Sequence, residues 1–83
     1  MEDWIERLAR ELGDEPLTED EVSRLLAASR EVAHRVERKI TPLSTFLLGA
    51  AVGRATEGGA TRPRALEGAL AAFEALLPPA GEA

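Results

Sequence analysis

Between Pro42 and Gly53 the chain carries no charged residue, and the run Phe46-Leu47-Leu48-Gly49-Ala50-Ala51-Val52-Gly53 is apolar on every side of a helical wheel. A helix that is apolar all round has to be surrounded by other elements. The run is far too short to span a bilayer, which takes about 20 residues. It therefore predicts a central helix with neighbours on several sides. Composition sets the type of those neighbours. Ala and Leu supply 27 residues, Val and Ile only 6. Ala and Leu lose little side-chain freedom in a helix, whereas β-branched residues favour a pleated surface. No segment alternates apolar and polar long enough for a strand. The chain reads as all-α.

Helix boundaries follow from capping residues, Gly and Pro. The first helix is expected over about residues 4–12. Asp3 and Glu6 form a capping box, Trp4 or Ile5 and then Leu8, Ala9 and Leu12 the apolar stripe, and Gly13 the stop. The second runs over about 19–38, opened by the box Thr18 and Glu21. Its expected buried stripe is Val22, Leu25, Leu26, Ser29, Val32, Ala33 and Val36. The third covers about 42–56, with Thr41 as cap and Pro42 at the first helical position, where a missing N–H costs nothing. The fourth covers about 62–77, with Leu66, Ala69, Leu70, Phe73, Leu76 and Leu77 as its stripe. Residues 80–83 are expected to fray. Short links favour antiparallel neighbours, so the expected architecture is one compact four-helix bundle over residues 1–83, wrapped around the third helix. Gly49 and Gly53 lie four apart on one face. Each weakens a helix by roughly 1 kcal/mol relative to Ala, which points to close approach of another helix there, beside Phe46 and Leu47. A helix of a second copy is the other possible neighbour, making a homodimer.

Several function classes drop out. With 83 residues the chain has room for one domain. It has no Cys and one His, which excludes a disulfide scaffold and thiolate or His-rich metal sites. A net charge of −5 argues against nucleic acid and anionic membranes as partners. The acidic start, Met1-Glu2-Asp3-Trp4, is neither a secretion signal nor a transit peptide, so a cytoplasmic location is expected. An acyl-carrier reading fails because no Asp-Ser pair exists. A helix-turn-helix reading fails because the third helix is apolar rather than basic.

Charge is unevenly distributed: −7 over residues 1–21, +5 over 22–64 and −3 over 65–83. Arg35, Arg38 and Lys39 cluster just before the third helix. They suit the negative end of the second helix's dipole. They also stand across a turn from Thr41, Ser44 and Thr45, where a helix start could hold a phosphate or a partner's carboxylate. The candidate binding corner is therefore His34, Arg35, Glu37, Arg38, Lys39, Ser44 and Thr45. A catalytic triad of His34, Ser44 or Thr45, and Glu37 would need a particular fold-back of this turn. A His that ties the second helix to the following loop by hydrogen bonds is the simpler reading, and no catalytic residue, metal or cofactor is expected.

The central stretch also carries a resemblance. Glu31-Val32-Ala33-His34-Arg35-Val36-Glu37-Arg38, then Pro42-Leu43-Ser44-Thr45-Phe46-Leu47-Leu48-Gly49 and Gly53, resembles a small helical-domain family of high-GC bacteria. Trp4-Ile5 ahead of Leu12-Gly13 looks like that family's start. Its members occur alone or joined to the molybdenum-cofactor guanylyltransferase, which makes molybdopterin guanine dinucleotide. The family has no established activity. The resemblance thus implies a pathway and no catalytic residue: a non-catalytic interaction domain in molybdenum-cofactor maturation, whose partner is that guanylyltransferase or a molybdoenzyme accessory protein. The rival expectation is a small-ligand domain that holds a nucleotide or the cofactor's phosphate at the same corner.

Overall fold

The computed structural model describes residues 2–79. Four helices follow one another: α1 (Glu2–Leu12), α2 (Glu19–Arg35), α3 (Thr41–Glu57) and α4 (Arg62–Leu76), with a 3₁₀ turn at Arg38–Ile40 ahead of α3. No strand occurs among the described residues. The architecture is an all-α four-helix bundle.

The local signals set most of these ends. Gly13 has φ +81°, a left-handed conformation that lets its N–H reach Arg10 O at 3.1 Å and that of Asp14 reach Ala9 O at 2.8 Å. Thr18 and Glu21 close a reciprocal capping box. The Glu21 N–H donates to Thr18 Oγ1 at 3.1 Å, and the Thr18 N–H donates to Glu21 Oε1 at 2.9 Å. Thr61 caps α4, its Oγ1 accepting from the Arg64 N–H. Two expected ends move by two residues or more. Helix α1 starts at Glu2, so Asp3 lies inside the helix rather than capping it. Helix α2 stops at Arg35 rather than near Arg38. The N–H groups of Val36 and Glu37 both turn to Val32 O, and the chain tightens into the 3₁₀ turn. The expected fraying of residues 80–83 falls outside the described residues.

The buried cluster is Ala28 of α2, Leu48 of α3, and Leu66 and Leu70 of α4, with Leu25, Val52, Ala69 and Phe73 packed around it. Val32 is the most deeply buried large side chain, 2 % exposed. Helix α3 packs most closely on α4 and then on α2. It is central, as its composition demands, but it is not enclosed. Two neighbours cover one side, which buries Leu48, and leave Leu43, Phe46 and Leu47 exposed on the other. Neither Gly49 nor Gly53 mediates a close helix contact, because nothing lies within 4 Å of where a Cβ would stand on either. Leu26, Val36 and Leu76, expected in buried stripes, are also exposed.

Helix α1 accounts for the open side. No Cα of its described residues comes within 8 Å of a Cα of α2, α3 or α4, whereas helices in contact pack with axes only about 8–10 Å apart. Ile5 and Ala9 are half-buried, while Trp4, Leu8 and Leu12 stay exposed. The Cα radius of gyration, 13.4 Å, exceeds the about 12 Å expected of a compact domain of this length.

What fixes the α1–α2 link is Arg62 at the start of α4. Its Nε donates to Glu21 Oε2 at 2.8 Å and its Nη2 to Glu21 Oε1 at 2.6 Å. The same guanidinium donates to the carbonyls of Glu15 at 2.9 Å and Pro16 at 2.7 Å. Glu21 is 5 % exposed. The hydrogen bonds from Arg62 hold its carboxyl below the usual carboxylate range, although burial pushes the other way. Glu21 in turn raises the Arg62 guanidinium further.

Three outcomes follow for urea denaturation followed by circular dichroism. Leu48→Ala costs about 3 kcal/mol, while Leu47→Ala one residue earlier stays within about 0.5 kcal/mol. Arg62→Met leaves a buried carboxylate unpaired and costs about 3 kcal/mol. A carboxyl with a pKa lowered on folding stabilises the protein fully above its unfolded value of about 4.3, and that contribution fades as pH falls through the folded value. Between pH 7 and pH 3 the wild type therefore loses more stability than Glu21→Gln.

Candidate functional site

The corner between α2 and α3 is built by the early end of α2 and the 3₁₀ turn. These put Arg35 on one side, Arg38 and Lys39 on the turn itself, and Ser44 and Thr45 in the first turns of α3. Intramolecular partners already engage most of these groups. The Arg35 Nε donates to Pro78 O at 2.7 Å and its Nη1 to Glu31 Oε1 at 2.8 Å, so this side chain ties α2 to the segment after α4. The Ser44 hydroxyl donates to Ile40 O at 3.0 Å, and the Thr45 hydroxyl to Pro42 O at 3.1 Å. Glu37 stands 3.9 Å from Lys39, both exposed. His34 is exposed at the last turn of α2 and Arg38 is exposed on the 3₁₀ turn.

The start of α3 is also a poor anion cup. The Thr41 N–H donates to Arg38 O, and Pro42 has no N–H to offer. With the Ile40 N–H donating to Glu37 O, three of the four free donors of a helix start are therefore missing. Thr41 does not cap the helix: Ile40 holds that position and makes no side-chain bond, while Thr41 Oγ1 is buried without a partner. Thr45 lines the opposite flank, in a cleft under α1. The structure therefore divides the predicted corner: Arg35 faces the end of α4, Thr45 faces α1, and Arg38 and Lys39 remain as the exposed basic pair between them.

Beside that pair lies a feature the sequence pattern had placed indoors. Leu43, Phe46 and Leu47 occupy one face of α3 at spacings of three and four, and are 63 %, 73 % and 67 % exposed. Half-buried Ala50 continues the face and exposed Arg54 ends it. From Leu43 to Arg54 the strip extends about 16 Å along the helix. Large apolar residues scattered singly on a surface are ordinary, but three adjoining ones rimmed by cations form a patch of the kind that marks an interaction site. Phe46 and Leu47 are thus contact candidates through exposure rather than through packing inside the bundle.

Among the described residues, no group of three or more His, Asp or Glu side chains is placed to hold a metal ion. No helix there is long and apolar enough to cross a membrane. A family model described as a domain of unknown function (DUF6457) matches residues 1–83. The chain belongs to this family. No curated protein and no solved structure matches it. Membership in DUF6457 fits the small helical domain read from the central motif, and it assigns no reaction, so the functional reading rests on geometry. Arg62 and Glu21, the most heavily bonded polar pair, were not singled out as partners in the sequence. Glu21 registers there only as a capping residue, and nothing local to Thr61-Arg62-Pro63 points back 41 positions.

Because Arg35, Ser44 and Thr45 are engaged, millimolar inorganic phosphate or guanosine triphosphate should move Tm by no more than about 1 °C in a thermal-shift assay. A site occupied at 100 times its Kd would add about 2.7 kcal/mol, which is more than about 10 °C for a domain this small.

Proposed function

We propose that this DUF6457 domain is a non-catalytic accessory module that binds a protein partner through the outward face of α3. One observation carries the reading: Leu43, Phe46 and Leu47 are each more than 60 % exposed on a single helix face. Leaving these side chains in water forgoes roughly 1.5–3 kcal/mol apiece relative to full burial. A partner that covers them recovers part of that. The patch lies between Arg38 and Lys39 at one end and Arg54 at the other, so a complementary surface is apolar at its centre and acidic at its rim. Cations on the rim steer encounter and set register more than they add affinity.

The resemblance of the central motif supplies the cellular setting of this proposal. The partner is the molybdenum-cofactor guanylyltransferase or a molybdoenzyme accessory protein, in cofactor maturation in the cytoplasm. A second copy of the chain, docked through the same face, is the competing occupant. The small-anion reading keeps only Arg38 and Lys39 free of strong intramolecular bonds, and no further observation favours it.

Calorimetric titration of the domain into the guanylyltransferase and the accessory proteins of the same cell tests the reading. Binding at micromolar Kd is expected with one of them, weakened at least about tenfold by Phe46→Ser with Leu47→Ser, while Tm changes little. Absence of binding at tens of micromolar, or full affinity in the double variant, refutes it. Sedimentation of the domain alone reveals a homodimer if the second copy is the occupant.

A further inference from the structure

The space between α1 and the rest of the bundle is a separate feature. A cleft of about 420 Å³ lies there, floored by Leu25, Leu48, Val52 and Leu66 and roofed by Ile5, Leu8, Ala9 and Leu12 of α1. Its volume and predominantly apolar lining are those of a small-molecule site. Gly49 and Gly53 form part of the floor, and each leaves room where a side chain would stand. Two glycines in mid-helix weaken α3, and no backbone approaches them closely enough to offset that. Helix α1 is unsupported in the same place. Eleven residues make a marginal helix in water without packing, and its apolar stripe lines the cleft rather than packing on another helix.

Size and charge define the occupant. A helix is about 10–12 Å across, so this volume would hold about one turn of one. A second helix is excluded while α1 stays in place. At the polar end stand Asp14, Glu15, Glu21 and Arg62. Glu21 and Arg62 neutralise each other, and Asp14 and Glu15 take part in no ion pair among the described residues. The hydroxyls of Thr45 and Thr56 donate to Pro42 O and Gly53 O, so toward the cleft they offer acceptors only. The side chains there that are not already paired accept hydrogen bonds or carry negative charge.

We infer that this cleft binds a small apolar molecule bearing a positively charged amine, its body between α1 and the α3–α4 floor and its head toward Asp14 and Glu15, and that occupancy stabilises α1. The site is distinct from the outward face of α3, since Phe46 and Leu47 do not line it.

The test uses the full chain and two probes with one ring system, 1-naphthylmethylamine and 1-naphthalenesulfonate. At saturation the amine should slow amide hydrogen exchange across residues 2–12 by at least about tenfold. It should also bind at least about ten times more tightly than the sulfonate. Gly49→Leu puts a side chain into open space in a helix, so it should fold and abolish amine binding; Gly53→Leu is the second such variant. Phe46→Ser should leave amine binding unchanged, which separates this outcome from that of the protein-partner reading. The inference is overturned if millimolar amine leaves exchange in residues 2–12 unaltered, if the sulfonate binds as tightly, or if both glycine variants fold and still bind the amine.

Discussion

Helix α3 carries apolar side chains around its circumference from Phe46 to Gly53, yet among the described residues only α2, α4 and the 3₁₀ turn pack against it, and they leave one face open. The consequences run through the structure. Leu48 and Val52 join the core with Ala28, Leu66 and Leu70, and Leu43, Phe46 and Leu47 are left in solvent. The core is correspondingly small for a domain that is already at the lower end of what an apolar interior can stabilise. Helix α1 could have closed the open face, but it lies over the Gly49–Gly53 flank instead and stands away from it.

The position of α1 traces to one guanidinium. Arg62 binds both oxygens of Glu21 and two carbonyls of the α1–α2 link, so the chain enters α2 in a set direction. Glu21 serves at the same time as the return half of the Thr18 capping box. A largely buried ion pair is a modest source of net stability, because desolvation opposes the attraction. Losing one member is costly, however, and four directed bonds on one planar group specify geometry in a way that apolar contacts cannot. A domain with so few buried side chains gains its definite link from this polar cluster.

The helices were legible residue by residue. Gly13 stops α1, Thr18 with Glu21 starts α2, and Thr61 starts α4, each through bonds that reach no more than five positions along the chain. Apolar spacing identified Val32, Leu66 and Leu70 as inward. It failed at Leu8, Leu12, Leu26, Val36 and Leu76, and the all-round apolar run of α3 failed to bury Phe46 and Leu47, all exposed, because a pattern gives the direction of an apolar surface and not the number of helices that cover it. The basic corner was visible as composition, and its division was not. Whether Arg35 is free depends on Pro78, 43 positions away.

The amino-acid sequence by itself thus determined the four helices, most of their ends and the absence of strands among the described residues, since those depend on backbone hydrogen bonding, capping and side-chain entropy within a few neighbouring residues. Tertiary structure alone decided which side of α3 meets solvent, where α1 stands, and which cations remain available. Those outcomes rest on contacts such as Glu21 with Arg62 and Arg35 with Pro78. Partners more than 40 positions apart meet only once the helices have packed, and no local pattern encodes the angle at which they do.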